Sequence, residues 1–267
     1  MIETRAPKGT NRRGRIDGSL TSQLDRVLSD SSVKILGDAT EIGVLFSGGL
    51  DSSFLAAFLA PGWRVTLETI GVAGSPDFRA AQEGAQLLGL PWVFHKVGLD
   101  DIRKIRLQFR AELDGLREPR RGVAIAFALA VERASKPLLV CGQGADELFF
   151  GYAHYQGQSA AARRLRRAED LNRLERDDWP LAQRLAIACG RTVVAPFLDP
   201  KFIDLVLQLP ADFDEEEFES KPLLRAWARE RGLPPILADR PKRALQYGSG
   251  ISKLLKREDR RGSKPSA

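Results

Sequence analysis

Short apolar runs alternate with longer amphipathic stretches over the first half of the chain. Four predicted strands are IGVLF at 42–46, VTLETI at 65–70, WVFHKV at 92–97 and PLLVC at 137–141. Helical patterns separate them, and strands separated by helices pair in parallel, with helices packed on the sheet. We therefore predict an α/β fold, a parallel sheet with helices on both faces.

Two of the helical patterns carry clear terminal signals. Ser19 is a suitable N-cap for an amphipathic helix that precedes the first strand. In the stretch between the second and third strands, Ser75 is a candidate N-cap, Pro76 suits the first helical position and Gly89 suits the end of the helix. These signals predict one helix before the first strand and one that begins at Pro76.

The pattern changes after Tyr152, where strand signals stop and helical patterns continue between Pro, Gly and acidic loops. We predict an α/β core over residues 19–152 and a helical C-terminal lobe over residues 153–255 that packs on it. Residues 1–18 are predicted to be a flexible basic arm, and residues 256–267 a flexible basic tail.

Composition narrows the class of protein. The chain has 267 residues and is 43% hydrophobic, enough for a sizeable core. It shows no long apolar stretch and no signal pattern, so we expect a cytoplasmic protein without a membrane span. Cys141 and Cys189 lack metal-ligand or CxxC spacing, which argues against disulfide, zinc and dithiol chemistry. The net charge of +6 would suit nucleic acid, but the scattered basic residues favour a solvated surface.

A glycine-rich loop, FSGGLDSS at residues 46–53, follows the first predicted strand and opens a helix. Unpaired backbone N–H groups and the helix dipole favour an anion at such a junction, and the loop's serines add hydroxyl donors. A carboxylate about 4 Å from a phosphate oxygen would be repelled by roughly 4 kcal/mol at an intermediate dielectric. Asp51 is therefore predicted to bind Mg²⁺ beside a nucleoside triphosphate.

A second loop, CGQGADELFFGY at residues 141–152, follows the fourth predicted strand in the same way. The two loops should lie at the same edge of the sheet, because parallel strands end on one side. Asp146 is a candidate second metal ligand, and Glu147 is a further carboxylate nearby.

The first loop resembles the PP-loop of the ATP pyrophosphatase superfamily, whose usual pattern is SGGxDS. Both loops, with GVAGSPDFRAAQEGAQLLG, APFLDPKFIDLVLQLP, KPLLRAWARERGLPP and RPKRALQYGSG, resemble the synthetase domain of glutamine-dependent asparagine synthetase over roughly residues 20–255. The resemblance implies a PP-loop, adenine nucleotide alpha hydrolase-like fold, with ATP and Mg²⁺ as cofactors. It also implies a ligase that adenylates a carboxylate, by default that of aspartate, and passes the acyl group to nitrogen.

The resemblance implies roles for individual residues. Asp51 and Asp146 correspond to the Mg²⁺ ligands, and Lys242 to a lysine that approaches the α phosphate and offsets developing charge. Gln143 and Glu147 are candidate catalytic residues together with Lys242. The implied ATP and pyrophosphate site consists of Leu45, Ser47, Gly48, Gly49, Leu50, Asp51, Ser52, Ser53, Ile70, Gly71, Gly142 and Lys242.

Two departures from the family limit these expectations. No glutaminase domain and no cysteine precede position 141, so free ammonia, an amine or a separate glutaminase chain would supply the nitrogen. Gln143 replaces a glutamate, and an amide cannot act as a general base at neutral pH. Proton removal would then fall to Glu147 or to solvent, unless the substrates differ. Arg120 or Arg121 is a weaker candidate for binding pyrophosphate, and His154 is more often structural than substrate-binding at such a position.

Other functions stay open from the sequence alone. The basic charge would suit a PP-loop enzyme that modifies tRNA, although Cys141 gives little support for thiolation. The glutamine at position 143 would suit a nucleotide-binding partner subunit without catalysis. A homodimer is also compatible with the resemblance.

Overall fold

A computed structural model of the protein describes residues 10–11, 15–16, 18–209, 220–241 and 245–262. Its strands are β1 (Thr10–Asn11), β2 (Arg15–Ile16), β3 (Glu41–Leu45), β4 (Arg64–Gly71), β5 (Trp92–Lys96), β6 (Leu138–Val140) and β7 (Thr192–Val194). Its α-helices are α1 (Gly18–Leu36), α2 (Leu50–Leu59), α3 (Pro76–Leu88), α4 (Leu99–Gln108), α5 (Arg110–Leu113), α6 (Arg120–Arg133), α7 (Ala145–Leu148), α8 (Ala160–Arg173), α9 (Trp179–Ala188), α10 (Pro200–Gln208), α11 (Pro222–Glu230), α12 (Pro235–Ala238), α13 (Leu245–Gly248) and α14 (Ile251–Gly262). A π-helical turn, Leu174–Asp178, joins α8 to α9.

The central sheet has the strand order β5-β4-β3-β6-β7, and every neighbouring pair is parallel. The order runs outward through β4 and β5 on one side of β3, and through β6 and β7 on the other. The loops that leave β3 and β6 therefore diverge to opposite sides and open a crevice between them, as is typical of open α/β sheets. The predicted parallel α/β fold and all four predicted strands are confirmed.

Helices cover both faces of this sheet. Ile42 and Val44 of β3 pack in one core with Phe54 of α2 and Trp227 of α11. On the other face, Ile70 at the end of β4 packs in a second core with residues of α4, α6, α9 and α14. Because side chains alternate along a strand, each buried strand supplies apolar groups to both layers.

The ends of α3 lie where the sequence predicts them. Ser75 Oγ accepts a hydrogen bond from the backbone N–H of Phe78 at 3.2 Å, and Pro76 occupies the first turn. Gly89 has a φ of 64°, the left-handed conformation that ends many helices without a steric penalty. Helix α1 begins at Gly18, one residue before the predicted cap Ser19.

Three segments have secondary structure that the sequence analysis did not predict. Residues after Tyr152 are not purely helical, because β7 pairs with β6 at the edge of the sheet. A three-residue strand is too short to show the alternation that identifies a strand. Residues 10–11 and 15–16 of the predicted flexible arm form a short antiparallel pair. Helix α14 extends through part of the predicted tail.

Apolar spacing and ion pairs hold α14 in place. Ile251, Leu254 and Leu255 recur at helical intervals and are buried. Arg103 and Arg106 of α4 form ion pairs of 2.9 and 2.8 Å with Glu258 and Asp259 of α14. No helix in the described part of the chain is both long and apolar enough to cross a membrane.

Candidate active site

A cavity of about 710 Å³ lies at the carboxyl edge of the sheet, between the loops that follow β3 and β6. The first loop, α6, the segment Cys141–Glu147 and residues of α8 and α9 contribute to its wall, and so do Ser220 and Lys221. Its size suits a small-molecule site that holds more than one ligand group. The crevice predicted from the strand order is thus a defined pocket.

Hydrogen bonds within the first loop fix its shape. The N–H of Gly49 donates to Ser47 Oγ at 3.3 Å, and Ser52 Oγ donates to the carbonyl of Gly49 at 3.2 Å. The N–H of Ser53 also donates to Gly49 O, at 3.0 Å, and closes the first turn of α2. The loop therefore presents backbone N–H groups from an ordered helix N-terminus, which is the arrangement that binds phosphate.

Gly48 needs both its positive φ and its missing side chain. Its φ is 70°, and a Cβ atom there would lie 2.5 Å from the carbonyl carbon of Ala80. The carbonyl oxygen of Gly48 accepts a hydrogen bond of 2.7 Å from Arg240 Nη1, which also donates to Ala80 O at 3.2 Å. Arg240 thus connects the first loop to α3.

Most residues of the predicted site line this one cavity. The lining members are Leu45, Ser47, Gly49, Leu50, Asp51, Ser52, Ile70, Gly142, Gln143, Asp146 and Glu147. Gly48, Ser53 and Gly71 are not part of the lining. Lys242 lies outside the described residues.

The two predicted metal-binding carboxylates converge on one cation, the side chain of Lys221. Lys221 Nζ lies 2.6 and 2.5 Å from the two carboxylate oxygens of Asp51, and 2.7 Å from Asp146 Oδ1. Lys221 is 97% buried, since only 3% of its side chain is exposed. Sequence reasoning missed this residue, although it begins the KPLLRAWARERGLPP stretch.

Backbone and packing features hold Lys221 in this position. It has a φ of 60°, a left-handed conformation that costs a non-glycine residue roughly 1–2 kcal/mol. It directly precedes α11, whose Trp227 packs against Phe54 in a tilted arrangement with ring centroids 4.4 Å apart. A Cβ atom at Gly151 would overlap both Asp146 Oδ1 and Lys221 Cε, so the glycine permits their approach.

The charges of this cluster determine the protonation state of Lys221. Burial alone would lower the pKa of Lys221, but the charges of Asp146 and Asp51 outweigh burial and raise it above its ordinary value. The ammonium group is therefore charged at neutral pH. Two carboxylates and one ammonium leave the cluster with a net charge of −1.

The donor set fits Mg²⁺. Asp51 and Asp146 supply two carboxylates on either side of Lys221 Nζ, and Mg²⁺ uses one or two protein carboxylates with phosphate oxygens and water. Within the described ranges, no group of three or more His, Cys, Asp or Glu side chains converges to form an all-protein cage. Two carboxylates without a third protein ligand do not form a structural metal site.

Glu147 lies beside this cluster and is 4% exposed. Burial raises the pKa of Glu147 to about 7, although Tyr152 Oη donates a hydrogen bond of 2.6 Å to Glu147 Oε1 that lowers the pKa. Gln143 lines the same cavity. A buried carboxylate and an amide thus line the same cavity.

The remaining candidates, Arg120 and Arg121 for binding pyrophosphate and Cys141 for thiol chemistry, receive little support from their surroundings. Arg120 lines the cavity and forms an ion pair of 2.7 Å with Asp178, whereas Arg121 bonds to Glu118 at 3.2 Å and does not contribute to the lining. Cys141 is buried, and burial raises its pKa to about 12, so its thiol stays protonated and is a poor nucleophile.

Comparisons with known proteins identify the family of this chain. A family model described as asparagine synthase matches residues 23–184 and 158–262. Asparagine synthetase B of Escherichia coli strain K12 is 28% identical over 255 residues, which cover 86% of this chain and 45% of the relative. The glutamine-hydrolyzing asparagine synthetase of Asparagus officinalis is 28% identical over 251 residues, which cover 86% of this chain and 42% of the relative. The chain thus spans a little under half the length of these two relatives.

Solved structures give weaker similarities. NMN synthetase from Francisella tularensis aligns with a TM-score of 0.46 and 12% identity over 93% of this chain and 87% of the other. The NH3-dependent NAD synthetase from Campylobacter jejuni aligns with a TM-score of 0.39 and 15% identity over 93% and 97%. The superpositions are too distant to inform the chemistry of the site.

Proposed function

Because the chain belongs to the asparagine synthase family, we propose that it is an ATP-dependent ligase that adenylates a carboxylate and transfers the acyl group to nitrogen. The observation that carries the proposal is the convergence of Asp51 and Asp146 on one cation beside the PP-loop. These carboxylates come from loops after two neighbouring strands, and neither loop alone would form the cluster. The default acid is aspartate, and the reaction would take place in the cytoplasm.

In the first step, a substrate carboxylate oxygen attacks the α phosphorus of ATP, and the bond to the bridging oxygen breaks to release pyrophosphate. The backbone of Ser47–Ser53 would bind the leaving pyrophosphate, and Leu45 and Ile70 would contact the adenosine. Mg²⁺ held by Asp51 and Asp146 would offset the charge of the phosphates. Lys221 adds a buried positive charge beside them. We assign to Lys242, from the family resemblance, a contact with the α phosphate.

In the second step, a nitrogen nucleophile attacks the acyl carbon, and AMP leaves with the electrons of the carbon–oxygen bond. The attacking nitrogen must lose a proton, and we assign its removal to Glu147 because Gln143 cannot accept one. Tyr152 orients the Glu147 carboxylate through its hydrogen bond. Gln143 can still donate to an oxygen of the acyl group. The nitrogen would come from ammonia, from an amine or from a separate glutaminase chain.

Exchange of radiolabelled pyrophosphate into ATP tests the first step. We expect exchange that depends on a carboxylic acid, measured with aspartate and a panel of other acids. Asp51→Asn and Asp146→Asn should each reduce exchange by at least about 100-fold, because a step that relies on charge stabilisation loses several kcal/mol. Asp30→Asn is the matched control, since Asp30 is an exposed residue of α1.

Two outcomes would contradict the proposal. Formation of ADP instead of AMP would indicate transfer of the γ phosphate. Tight ATP binding without exchange for every acid would indicate a nucleotide-binding subunit instead of a ligase.

A further inference from the structure

Two basic side chains hold the first loop at points three residues apart in the sequence. Arg240 Nη1 donates to the carbonyl oxygen of Gly48 at 2.7 Å, and Lys221 Nζ lies 2.6 and 2.5 Å from the two carboxylate oxygens of Asp51. The two basic residues belong to different segments, because Lys221 directly precedes α11 and Arg240 follows α12. The shape of the loop therefore depends on how these two segments lie relative to each other.

One buried guanidinium group joins the two segments. Arg225 of α11 is only 5% exposed. Its Nε donates to the carbonyl oxygen of Ser220 at 2.7 Å, and its Nη2 donates to the carbonyl oxygen of Arg240 at 3.1 Å. Its Nη1 donates at 2.5 Å to the carbonyl oxygen of Ala238, the last residue of α12, where a helix leaves its carbonyl groups without a partner of its own. These bonds fix the segment that carries Lys221 against the segment that carries Arg240.

The arrangement of these three bonds requires an arginine. A guanidinium group is planar and holds its five N–H donors in fixed directions, so the carbonyl groups that it binds keep a fixed relative position. A lysine carries all its donors on one nitrogen atom and cannot reproduce this geometry. Ser220 Oγ also donates to the carbonyl oxygen of Gly151 in the second loop, at 3.3 Å. The segments that Arg225 binds therefore reach both loops of the site.

We propose that Arg225 is a positioning residue for the nucleotide, which acts by fixing Lys221 and Arg240 relative to each other and thereby the shape of the first loop. The inference rests on the proposed function, because that function assigns the loop to the pyrophosphate end of ATP. A displacement of about 1 Å can cost about 100-fold in rate even when the substituted residue does not touch the substrate. Loss of the guanidinium geometry should therefore weaken the use of ATP.

Arg225→Lys tests the proposal in the pyrophosphate exchange assay. The substitution keeps the positive charge but loses the fixed donors, so the KM of MgATP should rise by about 10- to 100-fold, while the KM of the acid should stay within about 2-fold. A purely structural role would reduce the amount of folded enzyme, and with it the apparent kcat, without a change in either KM. Urea unfolding shows whether each variant is folded under assay conditions. Arg225→Gln, which keeps two N–H donors, is measured in the same way.

Arg229→Lys is the matched control. Arg229 lies one turn further along α11, its side chain is 44% exposed, and its Nε donates to the side chain of Asp239 at 2.9 Å. Neither of these residues lines the cavity, so the KM of MgATP should stay within about 2-fold. The double variant Arg225→Lys/Arg240→Lys tests how Arg225 acts. Its KM should rise by less than the product of the two single effects, because Arg225 acts through Arg240, and fully multiplicative effects would overturn this role.

Isothermal titration with MgATP, without an acid, measures the affinity for the nucleotide apart from catalysis. If no acid supports exchange, the proposed function fails, but a Kd for MgATP that rises about 10-fold or more in Arg225→Lys and not in Arg229→Lys would still support the positioning role. An unchanged KM and Kd for MgATP in folded Arg225→Lys, with exchange intact, would overturn the positioning role and leave the proposed function standing. Absence of MgATP binding by the wild type would overturn both.

Discussion

Replacing Lys221 with methionine should destabilise the fold in a way that Mg²⁺ reverses. The substitution keeps most of the side-chain volume but leaves Asp51 and Asp146 facing each other across the position of Nζ, which lies 2.5 and 2.7 Å from their nearest oxygens. Two carboxylates about 5 Å apart repel each other by roughly 3 kcal/mol at an effective dielectric of 20. We therefore expect Lys221→Met to lose about 3 kcal/mol of unfolding free energy without a divalent cation, within the range for a broken buried ion pair.

Urea unfolding with EDTA and with excess Mg²⁺ measures this effect. Mg²⁺ should stabilise the Lys221→Met variant more than the wild type, because the cation replaces the missing positive charge between the carboxylates. Lys201→Met, at an exposed position of α10, should change the unfolding free energy by less than about 0.5 kcal/mol. A loss below about 1 kcal/mol in EDTA, or equal responses of variant and wild type to Mg²⁺, would refute the reasoning.

Three further predictions follow from packing, chemistry and linkage. Gly151→Ala should cost about 1–3 kcal/mol in urea unfolding, since the new methyl group overlaps the Asp146–Lys221 pair, and Gly62→Ala is the control because its nearest neighbour lies 3.9 Å away. Glu147→Gln should slow amide formation by about 100-fold or more but leave pyrophosphate exchange within a few-fold; equal loss of both steps would contradict its role as the base. Burial alone would raise the pKa of Glu68, but hydrogen bonds from His95 and Ser135 outweigh it and lower the pKa. Glu68→Gln should therefore show its full loss of unfolding free energy at pH 7, and this loss should shrink as the pH falls below about 4. A loss of unfolding free energy that does not change with pH would contradict this.

The fold was predictable because its strands and helices have strong local signals. The strand IGVLF and the capped helix after Ser75 combine periodicity with terminal residues that have a clear physical role. By contrast, β7 has only three residues and pairs along one edge, so its identity depends on β6 and not on its own pattern. The sequence shows the helical pattern of α14 in SGISKLLKR but not its extension to Gly262, because the residues after Leu255 are charged and do not continue the apolar spacing of Ile251, Leu254 and Leu255.

The site was only partly predictable, for a different physical reason. The PP-loop residues are local in sequence and recognisable as a motif, and Asp146 occupies an equivalent loop. Lys221 is 170 residues from Asp51 in the sequence, and the two side chains come together only when α11 packs on α2 through Trp227. The left-handed φ at Lys221 has no signature in a single sequence, and Gly151 is visible there without its close contact with Asp146 and Lys221. Contacts that depend on long-range packing are therefore the part that sequence reasoning cannot supply.

The net charge of the Asp51–Asp146–Lys221 cluster affects the order in which ligands bind. With a net charge of −1, the cluster repels free ATP, whose triphosphate is strongly negative at neutral pH. A divalent cation reverses the sign of the cluster, so the nucleotide and the metal should bind as a pair. Before the metal and the nucleotide bind, Lys221 keeps the two carboxylates together. Its ion pairs offset the roughly 1–2 kcal/mol of strain in its backbone. A strained lysine in the resting site is thus consistent with a pocket that stays formed before its ligands arrive.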